Sequence, residues 1–224
     1  MRIFPLVFLL FLFLLSCDSI DFTDQPQGTI EYEVTYLSNK SSMPTNLLPK
    51  KVILKFRAQK SITTIEGFMN MFALSNISDF RKQTNTMLLK VVDKKYFYQG
   101  AKFDPPFFFD QIQNPIIKFV PETKVFAGIT CKKAVVTFAN TTQTSFDLYY
   151  TDSIKLKSPN KSTPLAQIEG VLMQFNVRIS NIEMKLTAKR YTKGNVLDNV
   201  FNISEDYKKV KREKLIVVVN KLLE

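Results

Sequence analysis

Residues 29 to 36 read TIEYEVTY, and this stretch decides the fold class. Its apolar and aromatic side chains stand at every second position, at Ile30, Tyr32, Val34 and Tyr36, with Thr and Glu between them. Successive side chains of a β-strand point to opposite faces, so this segment has one apolar face and one polar face. The pattern predicts a half-buried strand.

The same two-residue period recurs along the chain. It predicts further strands at 50–58, 87–100, 144–151, 171–178 and 182–191, with a turn at Asp93-Lys94 inside the second of these segments. Roughly nine to eleven short strands with few helical stretches between them indicate a mainly β protein. Either one strongly curved antiparallel sheet or two packed sheets would satisfy this pattern.

A long helix is predicted only at the C-terminus. Ser204 is a candidate N-cap, Glu205 and Asp206 follow in the first turn, and the chain then reaches residue 224 without Gly or Pro. The three valines at 217 to 219 argue against the helix, because β-branched residues favour strands. No internal repeat or flexible linker divides the chain, so we expect one β-rich domain over 28–224.

The composition argues against catalysis. The chain has no His, which removes the commonest general base, the usual nucleophile triads and nearly every catalytic zinc site. No two of the six glycines lie within twenty residues of each other, so no phosphate-cradling loop is present. Glu31 and Glu33 lie on a predicted solvent face rather than in a cleft. We therefore expect no enzyme, no cofactor and no metal.

The charge balance is strongly basic. Lys and Arg total 31 against 20 Asp and Glu, which gives a formal net charge of +11. This charge favours anionic partners such as phosphate headgroups, or it reflects a solvated lysine-rich surface, since only six of the basic residues are Arg.

The N-terminus predicts export. Arg2 precedes an apolar run at 3–15, which is followed by Ser16 and Cys17. At about 1.5 Å per residue this run covers roughly 20 Å of helix, too little for a hydrocarbon core of about 30 Å. Leu14-Leu15-Ser16-Cys17 resembles the lipobox of bacterial lipoproteins. The resemblance implies a signal peptide at 1–16, a diacylglyceryl group on the Cys17 sulfur and a further acyl chain, such as palmitate, on its amino group.

Lipidation would decide where the protein resides. Several acyl chains anchor a protein stably, and residues 17–27 would form a short lipidated tether. We expect a lipid-anchored protein of the cell envelope, with the outer membrane favoured. Asp18, directly after Cys17, leaves the choice of membrane open, and the leaflet is open too. Cys131 then has no disulfide partner, and its strand-like surroundings predict a buried, inert thiol.

A wider resemblance covers residues 122–207. The segments TKVFAGITCKKAVV at 123–136, YYT at 149–151, IEGVLM at 168–173 and FNISEDYKKV at 201–210 resemble a family of Gram-negative lipoproteins of unknown function that includes the GLPGLI-type proteins. The chain departs from the family pattern at Val171, where a proline often stands. The resemblance implies a curved half-barrel similar to periplasmic lipoprotein carriers, and it implies no enzymatic activity.

The stretch at 101–121, AKFDPPFFFDQIQNPIIKFVP, most invites a ligand. Its prolines and consecutive aromatics do not alternate like a strand, so it either plugs the curved sheet or lines an apolar groove as a movable flap. In the groove hypothesis two lysines meet an anionic headgroup above an apolar lining. The residues of this hypothetical groove are Phe103, Phe107, Phe108, Phe109, Ile112, Lys102 and Lys118.

Two functions follow from these expectations. The first is a lipoprotein that binds an amphipathic, lipid-like ligand in an apolar groove. The alternative is a structural or interaction lipoprotein with a filled core and a protein-binding surface. The expected partners are the membrane, through the N-terminal lipid, a lipid-like ligand and an envelope protein. Nucleic acid is not expected, because the chain is exported.

Overall fold

Twelve strands form one curved sheet, which confirms the mainly β prediction. The computed structural model describes residues 25–109, 112–139 and 144–224. The strands are β1 (Gln27–Asn39), β2 (Lys51–Arg57), β3 (Lys60–Glu66), β4 (Phe72–Asp79), β5 (Thr84–Val91), β6 (Lys94–Gln99), β7 (Pro115–Phe126), β8 (Ile129–Phe138), β9 (Phe146–Thr151), β10 (Val171–Ile179), β11 (Ile182–Lys193) and β12 (Lys208–Lys209). Short 3-10 turns occupy Thr45–Leu47, Phe68–Asn70, Phe107–Phe109 and Asp198–Phe201.

Two antiparallel meanders make up the sheet. The first runs from β1 to β6 and the second from β7 to β11, and β1 pairs with both β2 and β11, so it joins the two. The short strand β12 is parallel to β6 and lies at one edge, while β7 forms the other edge. All the strand segments predicted from the period fall on observed strands, although the turn between β5 and β6 lies one residue earlier, at Val92-Asp93.

The apolar face predicted for β1 is the buried one. Ile30 and Tyr32 are almost completely buried, and Val34 and Tyr36 pack against the same core. This core is one large cluster of aliphatic and aromatic side chains drawn from β1–β5, β7–β11, the C-terminal helix, the 3-10 turn Phe107–Phe109 and the loop between β9 and β10. Strand β7 lies near β11 although three strands separate them in the sheet, so the second meander curls over the core.

A second, smaller cluster lies on the opposite face. Ile77 and Leu88 alternate along β4 and β5 with core residues, and Val196 and Phe201 cover them from the segment after β11. Arg57 donates a hydrogen bond of 2.9 Å from its guanidinium to the carbonyl of Val196, which holds this segment against the sheet. The chain therefore crosses the outer face before it reaches β12.

The C-terminal helix begins later than predicted. Helix α1 spans Arg212–Leu223 with Lys211 as its N-cap, so the predicted N-cap at Ser204 is wrong by seven residues. The intervening residues have better partners, because Tyr207 packs on the outer cluster and β12 pairs with β6. Leu215, Val219 and Leu223 share one helix face and are buried in the core, which stabilises the helix despite its valines.

No helix in the described part of the chain is both long enough and apolar enough to cross a membrane. The predicted signal peptide, the predicted lipobox and Cys17 lie outside the described residues. The other cysteine, Cys131 on β8, is fully buried as predicted, and its thiol donates a 3.3 Å hydrogen bond to the carbonyl of Ile129. Burial raises the pKa of the Cys131 thiol to about 11.

Truncating the core should destabilise the fold strongly. Leu148 on β9 is fully buried, and Leu148→Ala is expected to lower the free energy of unfolding by about 2–5 kcal/mol, because it leaves a cavity. Leu37 on β1 is 46% exposed, so the matched change Leu37→Ala should cost less than about 0.5 kcal/mol. Urea unfolding followed by circular dichroism measures both, and equal effects would contradict the burial pattern.

The thiol of Cys131 should be unreactive in the folded protein. At pH 8 its raised pKa leaves little thiolate, and the folded core excludes the reagent. We expect Cys131 in the folded protein not to react with a disulfide reagent until guanidinium unfolds the chain. The variant Cys131→Ala identifies which thiol reacts, and rapid labelling of Cys131 in the native state would show an open core.

Candidate ligand-binding site

The predicted aromatic run lies inside the half-barrel. Phe107, Phe108 and Phe109 form a 3-10 turn, and all three side chains are buried in the main core together with Ile112. The ring of Phe109 stacks on that of Phe175 on β10, with the ring centroids 6.0 Å apart and the planes 14° from parallel. The turn Phe107–Phe109 therefore fills part of the concave side of the curved sheet, and we call this turn the plug.

The other three predicted groove residues lie elsewhere. Phe103 is 56% exposed, and Lys102 places its Nζ 4.9 Å from the centre of the Phe103 ring. Lys118 is exposed on the edge strand β7. The structure thus brings together the four apolar residues at 107–109 and 112, but it does not place either lysine at a headgroup position above them.

A cavity of about 90 Å³ borders the plug. The inner faces of β1–β4, β10 and β11 form one wall, and the plug and the loop between β9 and β10 form the other. Most of its lining is apolar. The apolar residues are Tyr32, Val52, Leu54, Ile65, Phe80, Pro106, Phe108, Phe109, Leu156, Pro159, Val171, Leu172, Phe175, Val177 and Leu186.

A patch of uncharged polar side chains interrupts this apolar lining on one side. Ser61, Thr63, Asn76 and Ser78 line the cavity from β3 and β4. Ser61 pairs with Ser78 across the two strands, and Thr63 pairs with Asn76, so the four form a compact group. Asn160 and Thr163 face the same cavity from the loop between β9 and β10.

The polar patch is internally hydrogen-bonded. The Asn76 amide donates from Nδ2 to Ser78 Oγ at 2.9 Å and to Asn85 Oδ1 at 3.2 Å, and Ser78 Oγ donates to the same Asn85 Oδ1 at 2.7 Å. Asn85 in turn donates to the carbonyl of Asp104 at 2.7 Å and to Ser162 Oγ at 3.2 Å. This network connects the sheet to Asp104, which precedes the plug, and to Ser162 in the loop between β9 and β10, which faces the patch.

The facing loop is held by Asn160. Its Nδ2 donates to the carbonyls of Ile168 and Gly170, at 2.7 and 2.8 Å, and the side chain is 6% exposed. Tyr32 adds a bond across the sheet, from its hydroxyl to the carbonyl of Leu172 at 2.8 Å, and burial raises the pKa of Tyr32 far above its ordinary value. Tyr32 therefore stays neutral, and the cavity wall carries no ionised tyrosine at physiological pH.

One polar atom of the patch has no partner. Asn76 is 3% exposed, and within the described residues its Oδ1 accepts no hydrogen bond. Reversing the amide would set its carbonyl oxygen against Asn85 Oδ1, which is also an acceptor, so the network fixes the orientation. A buried acceptor without a donor is costly, and the residue that carries this one is among those that line the cavity.

A second, smaller cavity of about 40 Å³ lies between α1 and the sheet. Its lining is apolar apart from the edge of Tyr36, and it includes Leu48, Phe72, Leu89 and Val219. No polar group converges on it among the residues that line it. We therefore assign it to packing of the helix rather than to ligand binding.

The strongest ion-pair network is at the surface, away from the cavity. Lys133 on β8 lies 2.9 Å from carboxylate oxygens of both Glu122 and Asp147, and Tyr149 donates a 2.7 Å hydrogen bond to Glu122. Hydrogen bonds from the Tyr149 hydroxyl and, second in size, from Lys133 lower the pKa of Glu122. Hydrogen bonds to the carboxylates of Asp147 and Glu122 raise the pKa of Lys133. These groups satisfy one another across β7, β8 and β9. In the described part of the chain no three His, Cys, Asp or Glu residues cluster as metal ligands.

Sequence reasoning did not identify the polar patch. In FALSNISD, at 72–79, Asn76 and Ser78 stand in phase with the buried Phe72 and Leu74, and this in-phase amide is a signal that the period could have revealed. The facing residues Asn160 and Thr163 come from an irregular loop, where no period predicts which side chains turn inward.

Known proteins resemble this chain only in fold. No protein-family model matches it, and no curated protein matches it. Solved structures of PNGF-II, in C2 and P21 crystal forms, are similar, each with a TM-score of 0.55 and 13% identity over 87% of this chain. This chain spans about a third of PNGF-II, 32% and 33% in the two crystal forms. At that identity the likeness concerns the sheet architecture alone, and the resemblance to GLPGLI-type lipoproteins stays a prediction.

Proposed function

We propose that this protein is a non-enzymatic lipoprotein of the cell envelope that binds an amphipathic, lipid-like ligand inside its half-barrel. The observation that carries the proposal is the interior cavity, which combines a long apolar wall with a compact polar patch. Ligand sites are typically apolar clefts with a few convergent polar groups, and this cavity has that composition.

Burial of an alkyl chain supplies the affinity in this proposal. Each methylene moved from water into the core contributes about 0.8 kcal/mol. A volume of 90 Å³ is room for about three water molecules, so the cavity accepts only part of a long chain as it stands. The rest of the chain would take the space that the rings of Phe108 and Phe109 now occupy. The plug is thus the part of the fold that must move for a ligand to enter.

The lipobox resemblance supports the anchored part of the proposal. The ten residues between Cys17 and Gly28, at about 3.3 Å each, reach up to roughly 33 Å, and β1 begins at Gln27 at the end of this stretch. The tether would hold the half-barrel close to the membrane surface, where its ligand is found. Of the two membranes, the outer one is favoured.

The alternative function is a structural or interaction lipoprotein with a filled core. Two observations favour it. The aromatic plug is already buried in the core of the half-barrel, and the edge strand β7 exposes Ile116, Phe119 and Val125, which are each at least 51% exposed. An edge strand with exposed apolar side chains is a pairing site for another protein.

Photo-crosslinking separates the two functions. In the full chain, reconstituted in phosphatidylcholine nanodiscs, a C16 lipid with a chain diazirine should label the tryptic peptides 103–118 and 162–178, which contain Phe108 and Phe175. Thr63→Trp fills the cavity from β3 and should lower this labelling several-fold. Thr64→Trp, whose native hydroxyl lies 2.9 Å from Ser75 on the other face, is the matched control and should leave it unchanged. Labelling confined to the tether would favour the filled-core alternative.

Membrane anchoring should depend on the sulfur atom of Cys17. Cys17→Ser removes the sulfur that receives the diacylglyceryl group, so we expect loss of the added acyl mass and release of the chain from membranes, or its retention as an uncleaved precursor. Intact mass spectrometry and membrane fractionation measure both. Cys131→Ala is the control, because that thiol is buried in the core. An unmodified Cys17 in the wild-type protein would refute the lipid anchor.

A further inference from the structure

We infer that the interior site selects a lipid whose headgroup is an uncharged hydrogen-bond donor, a hydroxyl or an amide, and that Asn76 Oδ1 is the acceptor that recognises it. This inference rests on the proposed function, since it specifies the ligand of the same cavity. It also replaces the earlier expectation of an anionic headgroup held by lysines.

The hydrogen bonds of the Asn76 side chain determine which of its atoms is left for a ligand. Both hydrogen bonds from its Nδ2 are taken within the patch, by Ser78 Oγ and Asn85 Oδ1, which holds the amide in one orientation. Its Oδ1 has no donor among the residues that the structure describes, although Asn76 is 97% buried. The network therefore holds an acceptor that has no donor among the described residues, on a side chain that lines the cavity, and only a group that carries a proton satisfies it.

The charge of the residues that line the cavity then narrows the chemical class of the ligand's headgroup. Among the described residues that line the cavity, none is Lys, Arg, Asp or Glu. A carboxylate or phosphate would face Asn76 Oδ1 acceptor to acceptor and would be buried without a counter-ion, and an ammonium would lack one too. A neutral hydroxyl or amide satisfies the acceptor without bringing a charge into the core.

The surroundings of the acceptor fit such a headgroup. The hydroxyls of Ser61 and Thr63 line the cavity on the neighbouring strand, opposite Ser78 and Asn76, and can accept or donate to a second polar atom of the ligand. The apolar wall begins directly beyond them, at Ile65 and Leu54, and continues to Phe175. A long-chain alcohol, a monoacylglycerol or a fatty amide has this order of groups.

A series of matched probes tests the selectivity. The full chain in phosphatidylcholine nanodiscs is photolabelled with three C16 diazirine probes that differ only in the headgroup: the alcohol, its methyl ether and the carboxylate. The readout is labelling of peptides 61–81 and 162–178. We expect the alcohol to label these peptides about fivefold to tenfold more than either of the others, because only it both donates to Asn76 and is uncharged.

Variants assign the effect to one atom. Asn76→Leu removes the acceptor and should make alcohol and methyl ether label equally, whereas Asn176→Leu, on the outward side of β10 between two cavity-lining residues, should preserve the preference. If Asn76→Leu does not fold, the probe series on the wild-type chain decides alone. Equal or stronger labelling by the carboxylate overturns the selectivity and leaves lipid binding intact. Absence of interior labelling by all three probes refutes lipid binding itself.

Discussion

The pairing of β1 with β11 is the interaction on which the rest of the structure depends. It joins the first meander to the second, and it links residues about 150 positions apart in the chain. Without it neither meander has a second wall, because the core cluster takes side chains from both. The long antiparallel register, from Gly28 opposite Lys193 to Asn39 opposite Ile182, gives this junction its strength.

The curvature of the sheet around its core creates the cavity and also explains why the plug lies beside it. A curved sheet has a concave side that its own strands cannot fill, so loops must enter it. The 3-10 turn Phe107–Phe109 does so with three aromatic rings, and the loop between β9 and β10 does so with Leu165 and Ile168, while α1 covers the other end. The cavity is the space that these inserts leave, and its polar patch is where the network of Asn76 and Asn85 connects the sheet to the inserts.

This arrangement separates two kinds of polarity. Charged residues lie on the exterior, where Lys133 with Glu122 and Asp147, and Lys189 with Glu33, form ion pairs in contact with water. The polar groups of the interior are neutral amides and hydroxyls that hydrogen-bond with one another. The net charge of +11 is thus a property of the surface, and it does not define the interior site. Because the charges lie on the surface and the interior site is uncharged, a basic protein can still prefer an uncharged ligand.

The sequence by itself determined the fold class, the apolar face of β1 and the positions of most strands, because a period of two depends only on local backbone geometry. It also predicted that Cys131 is buried. The start of α1 was decided by tertiary structure, since residues 204–209 gain more from the outer cluster and from β6 than from helix propensity. The site was decided there too: Asn76 on β4 lines the same cavity as Asn160 and the plug only after the sheet has curled, and no local pattern encodes the proximity of segments so far apart in the chain.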